Sequence, residues 1–281
     1  MSVKFPVKIS IHNWLKSSNI SLKNAGIDSS ILDSELILAY VLNKNRTYLH
    51  AHPDEVLLEA DRKKANSLLT KRIKRQPLAY LIGKKEFYGR DFIVNKDVLI
   101  PRPESESIID LLKSVPFANS LSTNLKLVDV GTGSGCLGIT AKLDIPDLDV
   151  TLIDKSAKAL LVAKTNAELL GAKVQLLKDS LLSSQPTNSL DIVIANLPYL
   201  DKNCSRSPET SYEPAAALFA KDSGTKLIKN LIEQSSQIMK KDGYLIMEFE
   251  PNQRQVIVTH AEKLGFKYNQ SLGYITVFRK D

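Results

Sequence analysis

From residue 125 onward the chain alternates between short apolar runs and stretches whose apolar positions recur every three or four residues. Residues 125–130, 150–153, 174–177, 190–195, 244–249 and 274–279 read as strands, and 135–143, 156–170, 223–239 and 252–264 as helices. Asp191-Ile-Val-Ile-Ala195 and Tyr244-Leu-Ile-Met247 are apolar runs of the kind a parallel strand needs when both its faces are covered. This alternation predicts an α/β fold built on a doubly wound, Rossmann-like sheet. The polar stretch 183–189 reads as a surface loop, and the sequence carries no internal repeat.

The first third has a different rhythm. A helix starts at residues 11–15. Asp28 is placed to cap a second, with Ile31, Leu32, Leu36, Ile37 and Tyr40 at helical spacing. Pro53 is placed to begin a third, running through Val56, Leu57, Ala60, Leu68, Leu69 and Ile73 toward Pro77. Lys71, Arg72, Lys74 and Arg75 crowd its last turn, where they oppose the negative end of the helix dipole. Residues 86–94 then read as a hairpin turning near Gly89-Arg90-Asp91, 99–103 as extended chain because of their two prolines, and 105–115 as a short helix. The expected division is a small N-terminal helical domain over 1–83, then a hairpin linker and the sheet domain over 84–281.

Charge adds to this picture. Residues 1–85 hold 15 Lys and Arg against 7 Asp and Glu, and the remainder holds 23 against 24, so the net +7 lies in the helical third. Such a unit suits RNA, a ribosome or an acidic protein, and equally well an ordinary solvated helix face. No apolar run reaches the roughly 20 residues of a membrane span, and residues 1–10 lack the apolar centre of a secretory signal. Two cysteines, Cys136 and Cys204, imply no disulfide framework and point to a reducing cytoplasm. The histidines do not combine with cysteines at metal-ligand spacing, His50 and His52 reading as a solvated turn, so no metal is expected. A monomer is expected.

Candidate chemistry sits at the strand ends. Asp129-Val-Gly-Thr-Gly-Ser-Gly135 follows the first strand and opens a helix. Its Gly131-x-Gly133-x-Gly135 spacing departs from the dinucleotide fingerprint and resembles the first motif of Rossmann-like methyltransferases. Asp154 ends the second strand, where a carboxylate can accept ribose hydroxyls, and Asp179 ends the third. Gly131, Thr132, Gly133, Ser134, Gly135, Asp154 and Asp179, with Asn196 beyond them, are the contacts of S-adenosyl-L-methionine that the likeness to methyltransferases implies. Taken singly, each acid also reads as a cap for the next helix. The fourth strand ends in Asn196-Leu-Pro-Tyr199. A planar amide nitrogen is a poor nucleophile because its lone pair is delocalised. Two acceptors on its N–H bonds, the Asn196 side-chain oxygen and the Leu197 carbonyl held out by Pro198, can draw it toward tetrahedral geometry, with Tyr199 stacking on the plane. Asn196, Leu197, Pro198 and Tyr199 are the candidate catalytic set. Glu248 and Glu250 are weaker candidates for lining the cleft. Arg102 and Glu106 read as a brace for the pocket or a surface pair, Cys136 and Trp14 as packing.

With these residues in view, the chain resembles the release-factor glutamine methyltransferases, the HemK or PrmC family. The resemblance rests on Gln76-Pro-Leu-Ala-Tyr-Leu-Ile-Gly83, Glu86-Phe-Tyr-Gly89, Leu99-Ile-Pro-Arg-Pro-Glu-Ser-Glu106, residues 129–136, and Tyr212-Glu-Pro214 with Ala217-Leu-Phe219. It implies a helical substrate-recognition domain and S-adenosylmethionine-dependent N5-methylation of the glutamine in the Gly-Gly-Gln loop of class 1 peptide chain release factors. The chain shows three departures from the family pattern: Leu197 stands for the first proline of Asn-Pro-Pro-Tyr, Ala220-Lys-Asp-Ser-Gly224 for Gly-Gly-Asp-Gly, and Ser180 for an aromatic residue. Asn-Leu-Pro-Tyr also resembles the tetrad of ribosomal RNA adenine dimethyltransferases. The alternative is thus an N6-adenine methyltransferase acting on ribosomal RNA, opposed by the roughly 125 residues ahead of the glycine loop. A non-catalytic binding module is a third reading, opposed by the retained glycines, Asp154 and Asn196.

Overall fold

The computed structural model describes residues 8–114, 124–201, 204 and 206–281. Two compact units emerge, one holding the chain up to Gly83 together with Ser207–Tyr212, the other holding the rest. The return of Ser207–Tyr212 to the first unit has no signal in hydrophobic spacing.

The first unit is helical: α1 Ile11–Asn24, α2 Ser30–Leu42, α3 Arg46–Ala51, α4 Glu59–Ile73 and α5 Leu78–Ile82. Its core gathers Ile11, Trp14, Ile37, Leu38, Leu49, Leu57 and Ala65, and the Trp14 indole donates to Asn66 Oδ1 at 2.8 Å. Several sequence expectations change here. Asp28 does not cap α2, whose N-cap is Ser29 with no side-chain bond. The buried face of α2 carries Asp33, Ser34, Glu35, Ile37, Leu38 and Val41, whereas Ile31, Leu32 and Tyr40 are exposed. Polar residues reach that face because each has a partner: Asp33 takes Arg72, and Glu35 takes Arg46. Pro53 begins no helix. A short α3 precedes it, Val56 pairs in a bridge with Ser10, and α4 starts only at Glu59. At its end Arg72 is buried, and Arg72 and Arg75 both bind Glu209 at 2.9 Å. Carboxylates, more than the helix dipole, hold these two charges.

The second unit opens with an antiparallel hairpin, β1 Lys84–Phe87 and β2 Arg90–Ile93. Its turn is Tyr88-Gly89, both with positive φ (51° and 73°), as a two-residue hairpin turn requires. Arg90 and Asp91 therefore belong to the strand. Phe87 and Phe92 bury themselves edge to face, 6.1 Å between centroids. A short 3-10 turn, Pro103–Ser105, leads into α6 Glu106–Ser114; Val115, expected to close this helix, and residues 1–7 of the N-terminal stretch lie outside the described residues.

The sheet has seven strands: β3 Lys126–Val130, β4 Asp149–Asp154, β5 Gln175–Lys178, β6 Leu190–Ala195, β7 Met239–Glu248, β8 Phe266–Leu272 and β9 Ile275–Lys280. Their order is β5-β4-β3-β6-β7-β9-β8, with β9 antiparallel to both β7 and β8 and the other pairs parallel. Helices α7 Cys136–Asp144, α8 Ala157–Leu170, α10 Lys226–Ile238 and α11 Arg254–Glu262 complete it, with a four-residue α9 Ala215–Leu218. Period-two alternation sorts strand side chains to opposite faces. Leu127, Leu152, Ile192, Ile194 and Ile246 join α6, α7 and α8 in one core, and Val128, Ile153, Val193, Leu245 and Met247 join α10 and α11 in the other. The expected α/β sheet is thus present. Strand β8 was not foreseen, because at this edge only Phe266 is buried and the apolar alternation is lost.

Among the described residues no helix is long and apolar enough to cross a membrane, and no cluster of His, Cys, Asp and Glu could hold a metal ion.

Candidate active site

β3 pairs with β4 on one side and β6 on the other, so the connections leaving β3 and β6 diverge at their carboxyl ends. There a cleft encloses about 240 Å³. Gly131, Thr132, Gly133 and Ser134 line it from β3, Asp154 and Ser156 from β4, Asp179 and Ser180 from β5, and Asn196, Leu197 and Pro198 from β6. Three strand ends and the first three residues of the tetrad are therefore brought together. Gly135 and Tyr199 do not line the cleft: Gly135 starts α7 and packs on Ile139, where a Cβ would come within 2.6 Å of Cδ1.

The glycine turn is tied to β4, since the N–H groups of Gly131 and Thr132 both donate to the Ile153 carbonyl at 2.8 and 2.9 Å. Gly131 has φ 73°, and a Cβ there would lie 2.8 Å from Leu197 Cδ2, so turn and tetrad touch. Gly133 has φ 55°, and the nearest atom to an added Cβ, the Gly131 carbonyl oxygen, is 4.0 Å off. This backbone is open to a ligand, as a cofactor cradle requires.

The three acids behave differently. Asp129 is buried, its Oδ2 accepting from Thr132 Oγ1 at 2.6 Å and from the Gly138 N–H at 3.0 Å. Burial pushes its carboxyl up to about 6 against the pull of those two bonds. Asp154 does not cap α8; Ser156 does, accepting from Ala159 N at 3.2 Å. Asp154 instead accepts the N–H of Gly133 at 3.0 Å and of Ser156 at 2.8 Å, so it holds the turn it was expected to complement. Asp179 accepts from the Ser180 N–H at 2.6 Å, from both the N–H and the hydroxyl of Ser184, and from the Ser183 hydroxyl. Burial alone would raise its carboxyl, but these bonds hold it below the usual carboxylate range.

In the tetrad, Asn196 Nδ2 donates to Ser105 Oγ at 2.9 Å, and Ser105 Oγ in turn to Glu248 Oε2 at 2.5 Å. The Tyr199 hydroxyl donates to Glu248 Oε1 at 3.0 Å. Burial first, then the Glu248 charge, drives that phenol far above its ordinary value, so it stays neutral. The Tyr199 carbonyl accepts from Gln253 Nε2 at 2.9 Å. Arg102 lines the cleft but does not pair with Glu106. It binds Glu213 at 2.5 Å, whose other oxygen accepts the Ile100 N–H at 3.1 Å, while Glu106 accepts the N–H of Tyr88. Cys136 lines the cleft too, its thiol pushed up to about 12 by burial.

Residues 13–83 match the family described as PrmC N-terminal domain, and 110–210 the methyltransferase small domain. The chain is 35% identical to the release factor glutamine methyltransferase of Leptospira interrogans over 265 residues, covering 92% of each. The chain belongs to the release factor glutamine methyltransferase family. It is also 31% identical over 272 residues to a bifunctional methyltransferase of Rickettsia bellii, covering 86% of this chain and 49% of that one. It spans about half the length of the Rickettsia relatives it matches. Among solved structures, the 16S rRNA N2 G1207 methyltransferase of T. thermophilus, in complex with AdoMet and guanosine, superposes with a TM-score of 0.52 at 12% identity, covering 70% of this chain and 49% of that one. That likeness is one of fold.

For a chain of this family, two of the three departures have a visible accommodation. Leu197 is buried and packs on Gly131. In the loop 220–224, Asp222 and Ser223 themselves take positive φ (58° and 48°). Gly224 stays glycine because a Cβ would come within 1.9 Å of the Tyr199 carbonyl oxygen. Nothing in the structure explains Ser180. Sequence reading missed Ser105 and Glu213, and ranked Glu248 low. The one usable signal was that Leu99-Ile-Pro-Arg-Pro103 and Tyr212-Glu-Pro214 both carry the resemblance to the family; they prove to be physical partners through Glu213.

Proposed function

We propose that the chain transfers a methyl group from S-adenosyl-L-methionine to the side-chain amide nitrogen of the glutamine in the Gly-Gly-Gln loop of class 1 release factors. The observation that carries this reading is the direct contact between the open glycine turn and an Asn-Leu-Pro-Tyr tetrad whose Asn196 N–H is already bound, leaving its oxygen to accept. The relatives' names support the same substrate.

The residues suit the cofactor. Gly133 offers bare backbone to the cleft, and Asp154, with one bond on each oxygen, keeps acceptor positions beside it, an arrangement suited to a nucleoside with a cationic sulfur; Asp179 also lines the cleft, its acceptor positions taken by Ser180, Ser183 and Ser184. When bound, S-adenosylmethionine supplies an electrophilic methyl group on a sulfonium. The protein's part is orientation and polarisation. Asn196 Oδ1 and the Leu197 carbonyl accept the two N–H bonds of the substrate amide and bias its lone pair out of the plane. Pro198 limits the rotation of the Leu197 carbonyl. The glycine turn and Asp154 would hold the cofactor, which would supply the methyl group and depart as a neutral thioether, while one proton of the amide would pass to solvent.

The test is incubation with labelled S-adenosylmethionine and, separately, a release factor and ribosomal RNA. Label on the Gly-Gly-Gln peptide is expected, and label on RNA alone would replace this reading with the adenine one. Asn196→Ala should slow transfer roughly 100-fold or more, on the scale of losing one polarising group.

A further inference from the structure

Ser105 and Glu248 are both buried, at 2% and 1% exposure, and neither is used by the reaction as proposed. Yet they make one chain with the tetrad: Asn196 Nδ2 to Ser105 Oγ at 2.9 Å, Ser105 Oγ to Glu248 Oε2 at 2.5 Å, and the Tyr199 hydroxyl to Glu248 Oε1 at 3.0 Å. The direction of this chain follows from counting protons. An ionised carboxylate only accepts, and a serine hydroxyl has a single proton. With Glu248 charged, Ser105 must give that proton to Glu248 and can only accept from Asn196. Asn196 must then turn its NH2 toward Ser105, and its oxygen faces away.

We propose that Glu248 and Ser105 are positioning residues: the carboxylate charge, acting on the Asn196 amide both directly and through the serine hydroxyl, fixes which way the Asn196 carboxamide faces and so reserves its oxygen for the substrate amide. The orientation rests on geometry alone; its value to catalysis rests on the function proposed above. A carboxamide is nearly symmetric in shape, so packing does not distinguish its two ends and only hydrogen-bond polarity does. Three elements present other ionisable groups to this network. Glu104 repels Glu248 from the 3-10 turn, Cys136 lies at the start of α7, and Arg102 and Tyr274 act on Tyr199. Burial raises the Glu248 carboxyl above its ordinary range, against the bonds from Ser105, Tyr199 and the Asn196 amide itself. Once protonated, Glu248 can donate to Ser105, the serine proton is released toward Asn196, and the two carboxamide orientations become comparable.

The direct test is the ¹⁵N side-chain amide signal of Asn196, assigned by its loss in Asn196→Asp. One of its protons should be protected from exchange at pH 7.5, exposed in Ser105→Ala, protected again in Ser105→Thr, and exposed in the wild type at acid pH as Glu248 titrates. The same variants are assayed for transfer to a Gly-Gly-Gln peptide. Ser105→Ala should lower kcat roughly 10- to 100-fold, as slight misplacement does, with S-adenosylmethionine affinity unchanged and Ser105→Thr restoring the rate. Should Ser105→Ala fold poorly, Glu248→Gln serves instead: it should abolish the acid-side change in amide protection. An Asn196 signal indifferent to Ser105, Glu248 and pH overturns the proposal, as does full kcat in Ser105→Ala. A wild type that leaves glutamine unmethylated overturns the proposed function, while the amide signal still decides the orientation.

Discussion

Replacing Arg72 by Met tests whether the helical unit is held by a buried charge network. The Arg72 side chain is 7% exposed and donates to Asp33, itself 5% exposed, at 2.6 Å and to Glu209 at 2.9 Å. Methionine keeps much of the aliphatic stem and removes the charge. Glu209 still has Arg75 at 2.9 Å, so the damage centres on Asp33, left buried without its cation. Removing one partner of such a pair costs roughly 3–5 kcal/mol. Trp14, the only tryptophan of the chain, lies in the core of this unit and reports its unfolding without interference. With a urea slope of about 2 kcal/mol per M, the midpoint read by Trp14 fluorescence should fall by roughly 2 M. Adding Asp33→Asn removes the orphaned charge, and the double variant should regain at least about 1 kcal/mol over Arg72→Met alone. A loss below about 1 kcal/mol in Arg72→Met, or a double variant no better than the single, would refute the reasoning.

Three further outcomes are expected. Gly133→Ala places a methyl group in the open cleft, where the nearest atom is 4.0 Å away. Stability should fall only by the roughly 1 kcal/mol of a left-handed alanine, while calorimetry should show S-adenosylmethionine affinity reduced more than 10-fold (about 1.4 kcal/mol); unchanged affinity would remove the cradle from the cofactor site. Asp129 has a carboxyl raised by burial to about 6, so its charge opposes folding as pH rises from the unfolded value through the folded one. Asp129→Asn should therefore be more stable than the wild type at pH 7.5, by roughly 1–3 kcal/mol, and lose that advantage at pH 4; an advantage independent of pH would contradict the assignment. Glu209 is the opposite case. Burial raises it, but bonds from Ser207, Arg72 and Arg75 bring it down to about 2, so its contribution is present above the ordinary carboxylate range and disappears as pH falls toward 2. The acid-unfolding curve of Glu209→Gln, followed at Trp14, should be the flatter one between pH 4.5 and 2.

Much of the sheet unit is legible in the order of residues alone. Apolar runs mark β3, β4 and β6 within a residue of their observed bounds, because a strand covered on both faces is predominantly apolar. The glycine motif and the tetrad stand out for a related reason: each requires particular backbone conformations at fixed spacing along one strand end. Edge strand β8 was not legible, since one solvated face and one partner impose little pattern. In the helical unit the apolar periodicity misled, because Asp33 and Glu35 occupy the face that Ile31 and Leu32 were expected to fill.

The sequence was enough for the class of sheet and for the placing of the glycine motif and the acids at three strand ends, because these follow from local periodicity and from turns that few side chains tolerate. Only the tertiary structure paired Ser105 with Glu248 across 143 positions, Arg102 with Glu213 across 111 and Arg72 with Glu209 across 137. A charged or hydroxyl side chain carries no mark of its partner. Its worth depends on burial and on what stands within about 3 Å, and the chain acquires those properties only when it folds.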